Sequence, residues 1–173
     1  MKAVFGASAA IQRCTVHKRR NVADHLPEAE RGWVDTKLGK IFANPDPAAG
    51  LRDAKSLATA LAREHPGAAA SLREGLEDMF TVTRLGITGT LARTLTTSNP
   101  IESMISIARA TNRNVTHWRD GQMVLRWTAA GMLNAQRSFR RVRGFKQMPQ
   151  LVAALHRHTH PSTARAETVG TAA

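Results

Sequence analysis

Proline and small polar caps cut this chain into short pieces. Most of the pieces carry apolar residues three or four apart, the spacing of a helix buried along one side. Glu28 to Phe42 is expected as a helix, with Trp33, Val34, Leu38 and Ile41 as its apolar positions. Asn44-Pro45-Asp46-Pro47 then breaks the chain, and Pro47 opens a helix behind an Asp46 cap. Leu51, Ala54, Ala58 and Leu61 mark its buried stripe, and His65-Pro66-Gly67 stops it. A further helix is expected over 68–79, with Leu72, Leu76 and Met79 on one face. Residues 80–98 are rich in Thr and Gly and read as a loop. Asn99-Pro100 reads as an N-cap followed by proline at the first helical position, with Ile101, Met104, Ile105 and Ala108 as the apolar stripe. Asp120 is expected to cap a helix over 121–141 that holds Trp127 in the core and also contains Phe139. Pro149 opens a last short helix with Leu151, Val152 and Leu155.

Only the start departs from this pattern. Residues 9–16, AAIQRCTV, end in β-branched residues and read as a short strand. The basic run HKRRNVADHLPE leads from there into a helix that ends near Pro27. A lone strand needs sheet neighbours to be stable. The expected fold is therefore mostly α, with a chain that opens partway through a larger unit.

Charge supplies the first functional constraint. The 25 Lys and Arg against 13 Asp and Glu give a formal net charge of +12. Residues 1–20 hold five basic groups and no acid, 21–102 hold nine basic and eleven acidic, and 103–160 hold ten basic and one acid, Asp120. Two basic zones flanking a nearly neutral middle suit a polyanion, because basic groups neutralise phosphates and release counterions. No apolar run approaches the roughly 18 residues of a membrane helix. The start of the chain does not read as a signal peptide. The single cysteine, Cys14, excludes an internal disulfide framework, and a reducing cytoplasm fits it.

Several residues stand out chemically. Lys18, Arg19 and Arg20 form a run suited to phosphate contact. Arg113, Trp118 and Arg119 interleave cations with an aromatic ring, as a backbone-contacting and base-stacking surface does. Trp118 fits a core position equally well. Arg137, Arg140, Arg141, Arg143 and Lys146 surround Phe139, either as a duplex-binding face or as a solvated one. Cys14 and His17 make a C-x-x-H pair, but zinc usually takes four ligands, so packing and hydrogen bonding are the simpler roles. His156, His158 and His160 alternate beside the tail and carry no functional weight. Glu102 falls in the first turn of its helix, where the positive dipole end favours a carboxylate. Arg109, seven residues on, lies close to two turns away on the same face. Spacing alone makes them a helix-start acid and a surface charge.

The order of several blocks is more specific. IQRCTVHKRRNV (11–22) with LPE (26–28), TTSNPIES (96–103), NRNVTHWRDGQMVLRW (112–127) and AAGMLNAQRSFRRVRGF (129–145) resemble, in sequence and order, the Mutator-type transposases of bacterial insertion sequences. The resemblance implies the C-terminal part of a ribonuclease-H-like α/β catalytic core interrupted by a helical insertion. On that basis residues 1–20 are a core remnant and 21–95 the insertion. Residues 96–157 are the catalytic-glutamate helix and C-terminal helices, and 158–173 a disordered tail. The resemblance also implies a triad of two aspartates and one glutamate that binds two Mg²⁺ ions for DNA cleavage and strand transfer. Glu102 takes the glutamate's place and Arg109 that of a nearby basic residue. The family's C-x-x-H pair corresponds to Cys14 and His17. The implied partners are double-stranded DNA and a second transposase chain, either a copy of this one or a full-length one. Both aspartates of the family precede the QRC block, yet the first acid here is Asp24. The expectation is a truncated transposase, inactive alone, or else a catalytically dead DNA-binding or regulatory fragment.

Overall fold

The computed structural model describes Val4, Gly6 and residues 8–160, and among these it contains helices and turns with no strand. The strand expected over 9–16 is absent. Residues 9–14 have no regular structure, and Thr15 already begins a helix. Among the described residues no strand is there to pair with, and Gln12 binds the backbone of another segment instead. Its carboxamide donates to the Met79 carbonyl at 2.9 Å and accepts from the Val82 N–H at 2.9 Å.

The chain divides into two compact units. One combines Met1–Thr97 with Arg143–Ala173, and the other is Ser98–Val142. The first unit contains α1 (Thr15–Ala23), α2 (Glu28–Phe42), α3 (Pro47–Leu61) and α4 (Pro66–Arg73). A 3-10 turn at Glu77–Phe80 leads to α5 (Thr81–Arg84) and α6 (Gly89–Leu95). The region read as a loop over 80–98 is thus mostly two short helices. The helix expected over 68–79 is divided at Gly75, whose φ of 59° lies in the left-handed region and ends the α-helical path. α2 keeps its expected bounds, and α3 starts where expected but ends at Leu61, short of the His65-Pro66-Gly67 stop. Asp46 caps α3 by accepting from the N–H groups of Ala48 and Ala49, and Pro47 occupies its first turn.

The core of this unit is built from Val34, Leu38, Ile41 and Phe42 of α2 against Ala54, Leu57 and Leu61 of α3, closed by Leu72, Met79 and Phe80. Phe42 and Phe80 meet with ring centroids 5.8 Å apart. Gly50 makes that contact possible, because a Cβ there would stand 2.6 Å from Phe80 Cε1. A smaller cluster of Val82, Ile87 and Leu91 packs with Leu151 of α9 (Met148–Thr159). Of the tail expected from residue 158, His158 and Thr159 belong to α9, and 161–173 lie outside the described residues.

The second unit is a hairpin of α7 (Asn99–Thr111) and α8 (Gly121–Gln136). Small residues line its contact. Gly131 and Ala135 are buried, and a Cβ on Gly131 would stand 3.0 Å from both Cα and Cβ of Ala108. Asn134 Nδ2 donates to Thr111 Oγ1 at 2.9 Å. Asp120 caps α8 as expected, accepting from the Met123 N–H at 2.7 Å. The helix ends at Gln136 rather than 141. A two-helix hairpin buries one stripe per helix, and here that stripe holds alanine and glycine. Trp127, expected in the core, is therefore 37% exposed.

Candidate nucleic-acid interface

Glu102 and Arg109 are both exposed on α7, one in its first turn and one in its last. The N-cap is Ser98, not Asn99, and Pro100 sits in the first turn, where the N–H it lacks has no intrahelical partner anyway. The Glu102 N–H donates to the Ser98 carbonyl at 3.0 Å. The Ser98 hydroxyl donates to the Glu102 carboxylate, which draws that carboxylate toward the helix N-terminus. Arg109 lies two turns on, roughly 10 Å along the axis.

The Ser98–Val142 unit holds seven arginines, no lysine and two acids, Glu102 and Asp120. Asp120 is committed to its helix cap. Arg109, Arg113, Arg119, Arg126, Arg137, Arg140 and Arg141 are all exposed. Trp118 is 41% exposed and Phe139 60% exposed, so aromatic rings stand among the guanidinium groups. Arg140, Arg141 and Phe139 lie past the end of α8 in irregular chain. Such a surface attracts phosphate and offers flat faces for stacking. The arginine run expected around Phe139 divides between the units, with Arg143 and Lys146, both exposed, on the larger one.

The first basic run separates into three roles. Lys18 is 5% exposed. Its Nζ donates to the carbonyls of Ser71 and Glu74, at 2.6 and 2.7 Å, and to the Glu74 carboxylate at 3.0 Å. The ammonium is thus committed within the unit, and phosphate contact by Lys18 is set aside. Arg19 grips the Asp35 carboxylate with two N–H groups and ties α1 to α2. Arg20 is exposed and keeps its charge for solvent or a ligand. Sequence reasoning missed Glu74, which also accepts from Arg13. The hydrogen bonds from Arg13 and then Lys18 hold the Glu74 carboxyl at about 2, well below its ordinary 4.5. A long-range pairing of this kind leaves no local signal in the sequence.

Cys14 is half-buried at the N-cap of α1, and His17 is half-buried one turn on. The following residue, Thr15, donates from its N–H and its hydroxyl to the Thr96 carbonyl, at 2.9 and 3.1 Å. That contact joins the QRC block to the start of the TTSNPIES block. His156 and His160, one turn apart on α9 and just past its end, stack with ring centroids 4.6 Å apart. Among the described residues no group of three or more His, Cys, Asp or Glu stands together. Glu102 supplies one carboxylate, whereas each Mg²⁺ prefers about six oxygen ligands. The described residues do not by themselves build a two-ion site.

No helix among the described residues is long and apolar enough to cross a membrane. Comparison with curated proteins and with solved structures gives no match in either case. The family described as "Transposase, Mutator family" matches residues 1–141, which takes in the Cys14 block, the Glu102 helix and α8. On that match the chain belongs to the Mutator family of transposases.

Proposed function

We propose that the chain serves DNA transposition of an insertion sequence, with Glu102 as the catalytic carboxylate and the arginines of Ser98–Val142 as its DNA-binding surface. The observation that carries this reading is the placing of one exposed carboxylate, Glu102, in the first turn of a helix on a unit whose other charges are almost all arginine. In the complete family enzyme, Mg²⁺ would neutralise charge at the phosphorus undergoing in-line transfer. Glu102 would be one of its ligands, and Arg109 would stand against a neighbouring phosphate. The ribonuclease-H-like setting and the two further carboxylates of the triad belong to this proposal as features of the complete family enzyme. Arg20, Arg113, Trp118, Arg119, Arg137, Arg140, Arg141, Arg143 and Lys146 are the proposed DNA contacts, and a second transposase chain is the proposed protein partner.

A second reading is favoured by the single carboxylate itself: a binding or regulatory module that occupies DNA without cutting it. Complementation separates the two. The chain is co-expressed with a Mutator-family transposase whose own triad glutamate is changed to Gln, and cleavage at element ends is scored. Restoration by the wild-type chain but not by Glu102→Gln supports the catalytic reading. Failure of both, with DNA binding intact, supports the regulatory one.

A further inference from the structure

Helical periodicity assigns Trp33 to the buried stripe of α2, yet it is 48% exposed. The core positions of α2 are filled by Val34, Leu38, Ile41 and Phe42. Trp33 instead shares the outer face with Gly32, Thr36, Lys37 and Lys40, and these five residues line a shallow concavity. Lys37 and Lys40 also border an adjoining groove with Ile41, Asn44, Asp53 and Ser56. The two lysines thus stand between an indole and that groove.

The charge of this face has one sign. Of the acids on α2, Asp35 is engaged by Arg19, and Glu30 lies 3.0 Å from His65 Nε2. Glu28 sits at the start of the helix, more than a turn away. Asp53 is the one acid lining the adjoining groove, and it disfavours phosphate at that far side. The Lys37 ammonium is 6.0 Å from the Trp33 ring centroid, the outer limit of a cation–π contact, so it holds the ring weakly. Open space surrounds the position where Gly32 would carry a Cβ, so no side chain there obstructs a flat group approaching the indole.

An exposed aromatic face with cations one and two turns along suits a nucleotide: the base stacks and the flanking phosphates meet the ammonium groups. A duplex keeps its base faces stacked internally, and so would use the lysines but not the indole. We propose that the Trp33–Lys37–Lys40 face binds an unpaired stretch of nucleic acid, with one base on the indole and its phosphates on the two lysines. The site is built from residues other than the arginines of Ser98–Val142, and it rests on the reading that the chain's ligand is nucleic acid.

Anisotropy of a labelled oligothymidine and of a labelled duplex tests this, with circular dichroism as the check on folding. Trp33→Ala is expected to weaken oligothymidine binding about tenfold, the size of one lost base stack. Trp33→Phe should weaken it less than about threefold, since a ring remains. Lys37→Gln with Lys40→Gln should flatten its salt dependence by about one to two units of log–log slope. Duplex affinity should stay nearly unchanged in both Trp33 variants, since a duplex does not use the indole. The proposal is overturned if the wild-type chain fails to bind oligothymidine, if Trp33→Ala leaves its binding unchanged, or if Trp33→Ala lowers duplex and single-strand affinity together. Absence of duplex binding in the wild-type chain would contradict the proposed function instead, with the Trp33 comparison still decisive for this site.

Discussion

Glu74 accepts from Arg13 and Lys18, and its carboxyl sits at about 2 rather than 4.5. A carboxyl depressed on folding contributes stability that is complete above its unfolded pKa and is lost as the pH falls toward the folded one. Melting temperature should therefore drop between pH 4.5 and 2. In Glu74→Gln that part of the drop should be smaller, as thermal melts across the interval will show. Lys18 and Arg20 separate folding charge from ligand charge. Lys18→Met should lower the melting temperature by roughly 5 °C, because two carbonyls and a carboxylate lose their donor. It should leave the salt dependence of DNA binding unchanged. Arg20→Gln should do the reverse, holding the melting temperature while the slope falls by about one unit. Equal slopes for the two variants would contradict this assignment.

At the scale of elements, the α7–α8 hairpin depends on close approach. Gly131→Leu places a side chain where even a Cβ meets Ala108 at 3.0 Å. It should cost about 2–3 kcal/mol, visible as a lower denaturation midpoint. Asp120→Ala should cost about 1 kcal/mol by removing the α8 cap. Helices with a strong local signal were legible in the sequence. α2 keeps its expected bounds on an apolar stripe that begins after Pro27, and α3 starts where expected because a stripe, Pro47 and the Asp46 cap agree there. What failed did so for non-local reasons. Residues 9–16 read as a strand on their β-branched end, but Thr15 begins a helix and Gln12 ties the segment before it to Met79 and Val82. Trp33 and Trp127 fit apolar periodicity, yet periodicity does not say how wide the buried stripe is. In the hairpin it is as narrow as Gly131 and Ala135, and in α2 it excludes the indole. Glu102 was legible as a helix-start acid, and only the neighbouring blocks raised it to a catalytic candidate.

At the scale of the whole molecule, the net charge of +12 and the Mutator-family match over residues 1–141 point the same way. The excess is organised. The larger unit spends Lys18, Arg19 and Arg13 on its own carboxylates, whereas the arginines of Ser98–Val142 are exposed and far outnumber its acids. We propose that this second set meets DNA phosphates. The most direct measurement is duplex affinity against salt concentration, for the wild-type chain and for Arg137→Gln, Arg140→Gln and Arg141→Gln combined. About six phosphate contacts predict a log–log slope near −5 for the wild type, and about three units less for the triple variant. A flat response in the wild type, or an unchanged slope in the variant, would show that these arginines do not meet the phosphates.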